Sequence, residues 1–267
     1  MLICTVIWFA IYDVFLVLRN HAAISILQFF EEMFFLRKVD MTHVWYLPTI
    51  LGLYISLPFV SSVLRKYDIS VFHFPVLIYT IFSFGYSTFN LIYRVYHPEL
   101  PLSNQFSLGF SGGIYGLYIL YGYFVSVGAF KKISTKIILV ILVSALVSVI
   151  IIQNWFYQSG YEYNVWYDSL PLLIASIGVY ELVSRTKNNQ INTQMYKLIK
   201  YVSTYSFGVY LTHNMIIECI GDSFKEFAVI MPFKVILLWV ICFIISLVIT
   251  VLISKIPKLG KYTLYLK

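Results

Sequence analysis

Residues 137–152 read Ile-Ile-Leu-Val-Ile-Leu-Val-Ser-Ala-Leu-Val-Ser-Val-Ile-Ile-Ile. This run has no charge, no glycine, no proline and no strict alternation of apolar with polar residues. A helix of about 20 apolar residues crosses the roughly 30 Å hydrocarbon core of a bilayer, whereas a barrel strand is shorter and alternates. Runs of similar character occupy 2–18, 44–64, 70–93, 106–130, 166–183, 201–220 and 233–254. The chain therefore reads as all-α: a polytopic integral membrane helix bundle of about eight transmembrane helices, with one domain over 1–267. The runs 136–153 and 233–254 are almost wholly aliphatic and are expected to face lipid. The run 201–220 carries Ser203, Thr204, Ser206, Thr212, His213 and Asn214, more polar groups than a lipid-facing helix accommodates.

The composition agrees. Of 267 residues, 60% are hydrophobic and 12% charged, with a mean hydropathy of +0.82; a soluble domain carries about 25% charged residues. The net charge of +7 does not point to nucleic acid, because no soluble segment interleaves basic and base-stacking residues. Its partner is the lipid bilayer, and the charge marks the cytoplasmic loops. Thirteen of the nineteen Lys and Arg fall in one set of alternate loops: Arg65–Lys66, Lys131 to Lys136, Arg185 to Lys200, and the tail from Lys255 to Lys267. Those loops and both termini are expected on the cytoplasmic side. Cys4, Cys219 and Cys242 have no paired spacing and read as small apolar residues, with neither a disulfide framework nor a metal site.

Among candidate chemical groups, Gly109, Gly112, Gly113 and Gly116 have four-residue spacings that suit close helix packing; no following Lys-Ser or Lys-Thr supports a phosphate loop. Pro48, Pro58, Pro75 and Pro171 lie in or at the ends of helices, where they either open a cavity or simply kink the helix. Asp13 sits inside the opening helix, where an isolated carboxyl is costly. His43 precedes Val44-Trp45-Tyr46-Leu47 at the outer start of a helix, and by composition alone it is an interfacial histidine. His213, in Tyr210-Leu211-Thr212-His213-Asn214, lies at membrane depth, where a histidine is more often functional than structural. Ser206 and His213, seven residues apart, fall on nearly one helical face with Tyr210 between them. Both histidines fall on the outer side, so a shared chamber is expected. His73 lies in the inner part of its helix, and His21 and His97 read as loop or interface residues. The outer segment 154–168 combines aromatic rings, amides and two carboxylates; it suits either an interfacial aromatic belt or sugar stacking.

Three segments together resemble the acyltransferase-3 family of membrane O-acyltransferases: His43-Val44-Trp45-Tyr46-Leu47 running on to Leu57-Pro58 and Arg65-Lys66; Tyr118-Ile119-Leu120-Tyr121-Gly122-Tyr123-Phe124 followed by Lys131-Lys132; and Ser206-Phe207-Gly208-Val209-Tyr210-Leu211-Thr212-His213. The resemblance spans most of the chain. In position, the helix at 2–18 is similar to the family's third; the family's first-helix arginine and histidine, the latter its expected catalytic base, and its Arg-x-x-Arg element have no counterpart in 1–267. The expectation is a domain lacking the family's first two helices.

The resemblance implies transfer of an acyl group, most often acetyl, from a cytoplasmic thioester such as acetyl-CoA to a hydroxyl of a cell-surface glycan or lipid-linked sugar. It implies a bacterial plasma (inner) membrane location, polysaccharide O-acetylation at the cell envelope, and no bound cofactor. His213 and His43 are the candidate catalytic residues, as polar contacts on the acceptor side, and Trp45 and Tyr210 the candidate substrate-binding walls. The competing readings are a non-enzymatic membrane component of glycan export and an inactive remnant.

Overall fold

A computed structural model of the chain describes residues 2–20, 24–37, 43–97, 113–160, 165–186, 192–225 and 231–264. Among these every regular element is helical. Gly109, Gly112, His21, Lys187, Lys267 and residues 161–164, all weighed above, lie outside the described residues. The chain divides into two compact units, residues 1–51 with 191–267, and residues 52–190.

The first unit contains α1 (Leu2–Asn20), α2 (Ile26–Met33), the start of α3 (Tyr46–Lys66), α9 (Thr193–Lys225), α10 (Met231–Ser254) and α11 (Pro257–Thr263). Cys4, Trp8, Tyr12 and Leu16 recur every fourth residue along α1, so they form one stripe; all are buried, with Met33, Val44, Leu47, Leu211 and Leu264. The stripe carries polar ends, and they find acceptors: the Cys4 thiol and the Trp8 indole both donate to the Thr263 carbonyl at the end of α11, at 3.0 and 2.6 Å. Ser25 caps α2 by accepting from the Gln28 amide at 3.1 Å.

The helix predicted over 201–220 is the much longer α9. It starts at Thr193, just after Asn192, whose side chain accepts from the Gln194 amide at 2.9 Å. Lys197 and Lys200, expected in a loop, stand on its first turns, exposed together with Met195, Tyr196, Leu198 and Ile199. Their mixed polarity hides the helix from a hydropathy window, although the residues are good helix formers. Nor is α10 wholly lipid-facing. Cys242, Ser246 and Thr250 make a buried stripe of small residues that lets α9 approach closely; a Cβ placed on Gly208 would collide with the Thr250 methyl. The rest of α10, including Trp239, Ile244, Val248 and Leu252, is exposed as expected.

The second unit holds the remainder of α3, then α4 (Ser70–Thr80), a π-helical segment (Ile81–Gly85), α5 (Tyr86–Tyr96), α6 (Ile114–Ser126), α7 (Thr135–Gln158) and α8 (Leu170–Ser184). Ser134 caps α7 by accepting from the Ile137 amide at 3.3 Å, and Pro171 sits in the first turn of α8, where its missing N–H costs nothing. Gly113 adopts φ +53° ahead of α6, so the described part of that helix starts at Ile114. The Arg185 guanidinium ties the end of α8 to the α6–α7 connection: it donates to Glu181 at 2.8 Å, Thr135 at 3.1 Å and the Phe130 carbonyl at 2.9 Å.

Five helices among the described residues are long and apolar enough to cross a membrane: Leu2–Arg19, Tyr46–Lys66, Ser70–Tyr96, Thr135–Gln158 and Phe233–Ser254. Ile114–Ser126 and Leu170–Ser184 are shorter apolar helices. Among the described residues a count of about eight is reached only by adding these two and α9.

Candidate functional site

The site lies in the first unit, where the turn before α3, the inner stripe of α1 and the middle of α9 meet. Residues 43–45 form a turn, and the His43 carbonyl accepts from the Tyr46 amide at 3.4 Å. The same carbonyl accepts from the Tyr210 hydroxyl at 2.5 Å, which pins the turn to α9. The His43 imidazole then projects among aromatic rings. Its centroid lies 5.2 Å from Tyr12, 5.6 Å from Tyr210 and 5.0 Å from His213, and every ring is edge-on or steeply inclined to it.

The polar contacts are sparse and specific. His43 Nε2 meets the Tyr12 hydroxyl at 2.8 Å, and the Tyr12 hydroxyl also donates to the Leu211 carbonyl of α9. Tyr12 and Leu211 are both fully buried. His43 Nδ1 is buried with no hydrogen-bond partner among the described residues. His213 Nδ1 meets the Tyr210 carbonyl at 2.5 Å, and the Cys242 thiol donates to the His213 carbonyl at 3.2 Å. Burial, and secondarily the neighbouring His213, push the His43 imidazole down to about 4, so at neutral pH it carries no charge. A neutral imidazole with one nitrogen uncommitted can accept a proton, and the burial that keeps it neutral also makes it a weaker base than one that titrates near the operating pH.

His43, His213 and Tyr210, noted in the sequence, are thus brought together. Trp45 is not in this cluster: it lines a separate cavity of about 300 Å³ with Phe9, Phe35 and Pro48, because the turn at 43–45 sends successive side chains to different sides. Ser206 departs from the expectation that it shares a groove with His213. It is exposed, and its hydroxyl donates to the Ser203 carbonyl at 2.9 Å, so the helix's own backbone satisfies it. Among the other histidines, His73 packs edge-on to Phe124 with centroids 5.8 Å apart, and His97 stacks on Tyr93 at 4.5 Å. Tyr12 escaped the sequence reading. Its signal is the phenol itself, because a hydroxyl on the buried stripe of an apolar helix must find an acceptor on a neighbouring element.

A membrane helix bundle with a half-buried histidine–tyrosine cluster could serve several chemistries, and comparison with known families narrows them. The acyltransferase-3 family model, described as an acyltransferase domain, matches residues 1–255. The chain belongs to this family of membrane acyltransferases. Comparisons with curated proteins and with solved structures returned no match.

Proposed function

We propose that this chain carries the acceptor side of an O-acyl transfer at the bacterial inner membrane. The donor is an acyl thioester of the coenzyme A type, with acetyl as the transferred group. The acceptor is a hydroxyl of a cell-envelope glycan or a lipid-linked sugar. The reaction breaks the thioester C–S bond and forms an ester C–O bond, and the hydroxyl proton leaves through a base to the departing thiol. His43 takes that proton. His213, packed 5.0 Å from it, orients the hydroxyl or holds the developing charge, and Tyr210 forms the wall between them. Basic-residue distribution supports cytoplasmic termini.

The observation that carries this reading is the unpartnered, buried Nδ1 of a neutral His43 beside a second imidazole, in a chain of an acyltransferase family. Two half-buried imidazoles held by a phenol and backbone carbonyls are an unusual content for a membrane bundle that serves packing alone. The test is incorporation of radiolabelled acetyl from acetyl-CoA into envelope glycan by membranes containing the chain, compared with His43→Gln and His213→Gln. Loss of a general base lowers the rate by about 10²–10⁴-fold. Equal incorporation by both variants at equal membrane level overturns the assignment.

A further inference from the structure

Which nitrogen of His43 carries the proton decides whether Nδ1 is a base at all, and the surroundings of Tyr12 settle it. A tyrosine hydroxyl has one hydrogen to give. The Leu211 carbonyl can only accept, so the Tyr12 proton points to it. The 2.8 Å contact between Tyr12 Oη and His43 Nε2 must then be made with the imidazole hydrogen on Nε2. In the opposite tautomer, a lone pair on Nε2 would face a lone pair on the phenol oxygen, and a buried Nδ1–H would lack an acceptor among the described residues. A neutral imidazole with its hydrogen on Nε2 has its lone pair on Nδ1.

His213 is set in the opposite sense by the same logic. The Tyr210 carbonyl at 2.5 Å from Nδ1 can only accept, so the hydrogen is on Nδ1 and the lone pair on Nε2. The two adjoining imidazoles are therefore held in complementary tautomers by three groups that are not themselves bases: the Tyr12 phenol and the Leu211 and Tyr210 carbonyls.

We infer that Tyr12 is a positioning residue, which relays the Leu211 carbonyl to His43 Nε2 and so leaves Nδ1 as the lone-pair nitrogen of the ring. This rests on the reading of His43 as the base in acyl transfer. Tyr12 touches no reacting atom. Its role resembles that of a carboxylate orienting a catalytic histidine, with the difference that a phenol accepting from Nε2–H adds no negative charge to the buried site.

The experiment is long-range proton–nitrogen correlation NMR on the full chain, labelled with ¹⁵N-histidine and reconstituted in phospholipid nanodiscs, with His43 assigned from the His43→Gln variant. The expected result is a protonated Nε2 and a bare Nδ1 for His43, and the reverse for His213. In Tyr12→Phe the His43 signal moves to a mixture of tautomers, and acetyl transfer falls by about tenfold, less than the 10²–10⁴-fold of losing a base outright. A wild-type His43 with its hydrogen on Nδ1 overturns the inference, whether or not the Tyr12 variant accumulates. So does a Tyr12→Phe chain whose His43 stays wholly in the Nε2–H form. Transfer that survives in His43→Gln while the wild-type tautomers are as expected defeats the base assignment and leaves the orienting contact standing.

Discussion

The imidazoles of His43 and His213 stand with centroids 5.0 Å apart and planes inclined at 72°, although one residue precedes α3 and the other lies past the middle of α9. His43 is tied down by the neighbourhood of His213: Tyr210, one turn before His213, donates to the His43 carbonyl. A change at either histidine is thus read directly by the other.

His213→Ala removes a polar group but leaves the apolar anchors of α9, Leu211 and Ile216, in place. Membrane accumulation is expected to stay close to wild type while acetyl transfer falls at least tenfold. Quantifying the chain by immunoblot alongside acetyl incorporation separates the two effects; a variant that fails to accumulate identifies His213 as a packing residue.

His43 fixes the pH behaviour. Its imidazole titrates near 4 in the fold and at about 6.5 when unfolded. The unfolded chain therefore binds more protons between these values. The contribution of His43 to stability is complete above about pH 6.5 and is lost as the pH falls from there towards 4. The acid limb of the rate profile should likewise fall near pH 4 to 5, not at the 6 to 7 of an ordinary histidine. A rate profile with its acid limb near 6.5 would refute this environment for His43.

Gly208 and Thr250 form a contact with no room for a side chain. Gly208→Ala should destabilise the first unit by about 1–3 kcal/mol through overpacking. Thr250→Ala alone removes the methyl and hydroxyl nearest that glycine. The double variant should recover part of the loss, since residues in contact couple by about 0.5–3 kcal/mol. Urea-dependent protease susceptibility in detergent measures it, and strict additivity would count against the contact.

Arg185 holds Glu181, whose side chain is 3% exposed. Arg185→Ala leaves a buried carboxylate without its cation, a loss of about 3–5 kcal/mol where such pairs are broken from one side. Glu181→Gln with Arg185 intact should be milder, because no unpaired charge is left buried. Thermal aggregation of the purified variants orders them, and the reverse order would overturn the view that an unpaired Glu181 carboxylate is the costly species.

Topology is tested on two exposed positions, Lys197 at the start of α9 and Tyr157 near the end of α7. In a cysteine-free background, a membrane-impermeant maleimide added to intact cells should label Tyr157→Cys and spare Lys197→Cys. Labelling of Lys197→Cys from outside would invert the orientation.

By itself the sequence determined the class of this protein, and it did so through length and polarity. Runs such as 137–152 have no stable solution in water, and a helix is the way such a run satisfies its backbone in lipid. It also carried the family, through motifs around His43, Tyr121 and His213 that survive as local strings. It was less informative wherever polarity is mixed. The first turns of α9 alternate lysines with apolar residues, α2 is too short to register as a span, and α10 carries a buried stripe of small residues inside an almost uniformly aliphatic run.

Only the tertiary structure decided which polar side chains meet. Ser206 and His213 share a helical phase, yet Ser206 bonds its own backbone while His213 faces His43, because a helix places side chains by angle and its neighbours decide which of them are covered. The partnership of Tyr12 with His43 and Leu211 joins three distant segments, and no periodicity within any one of them encodes it. Proton positions in the site follow from that meeting: a phenol has one hydrogen, a carbonyl has none to give, and the imidazole takes what the two leave it.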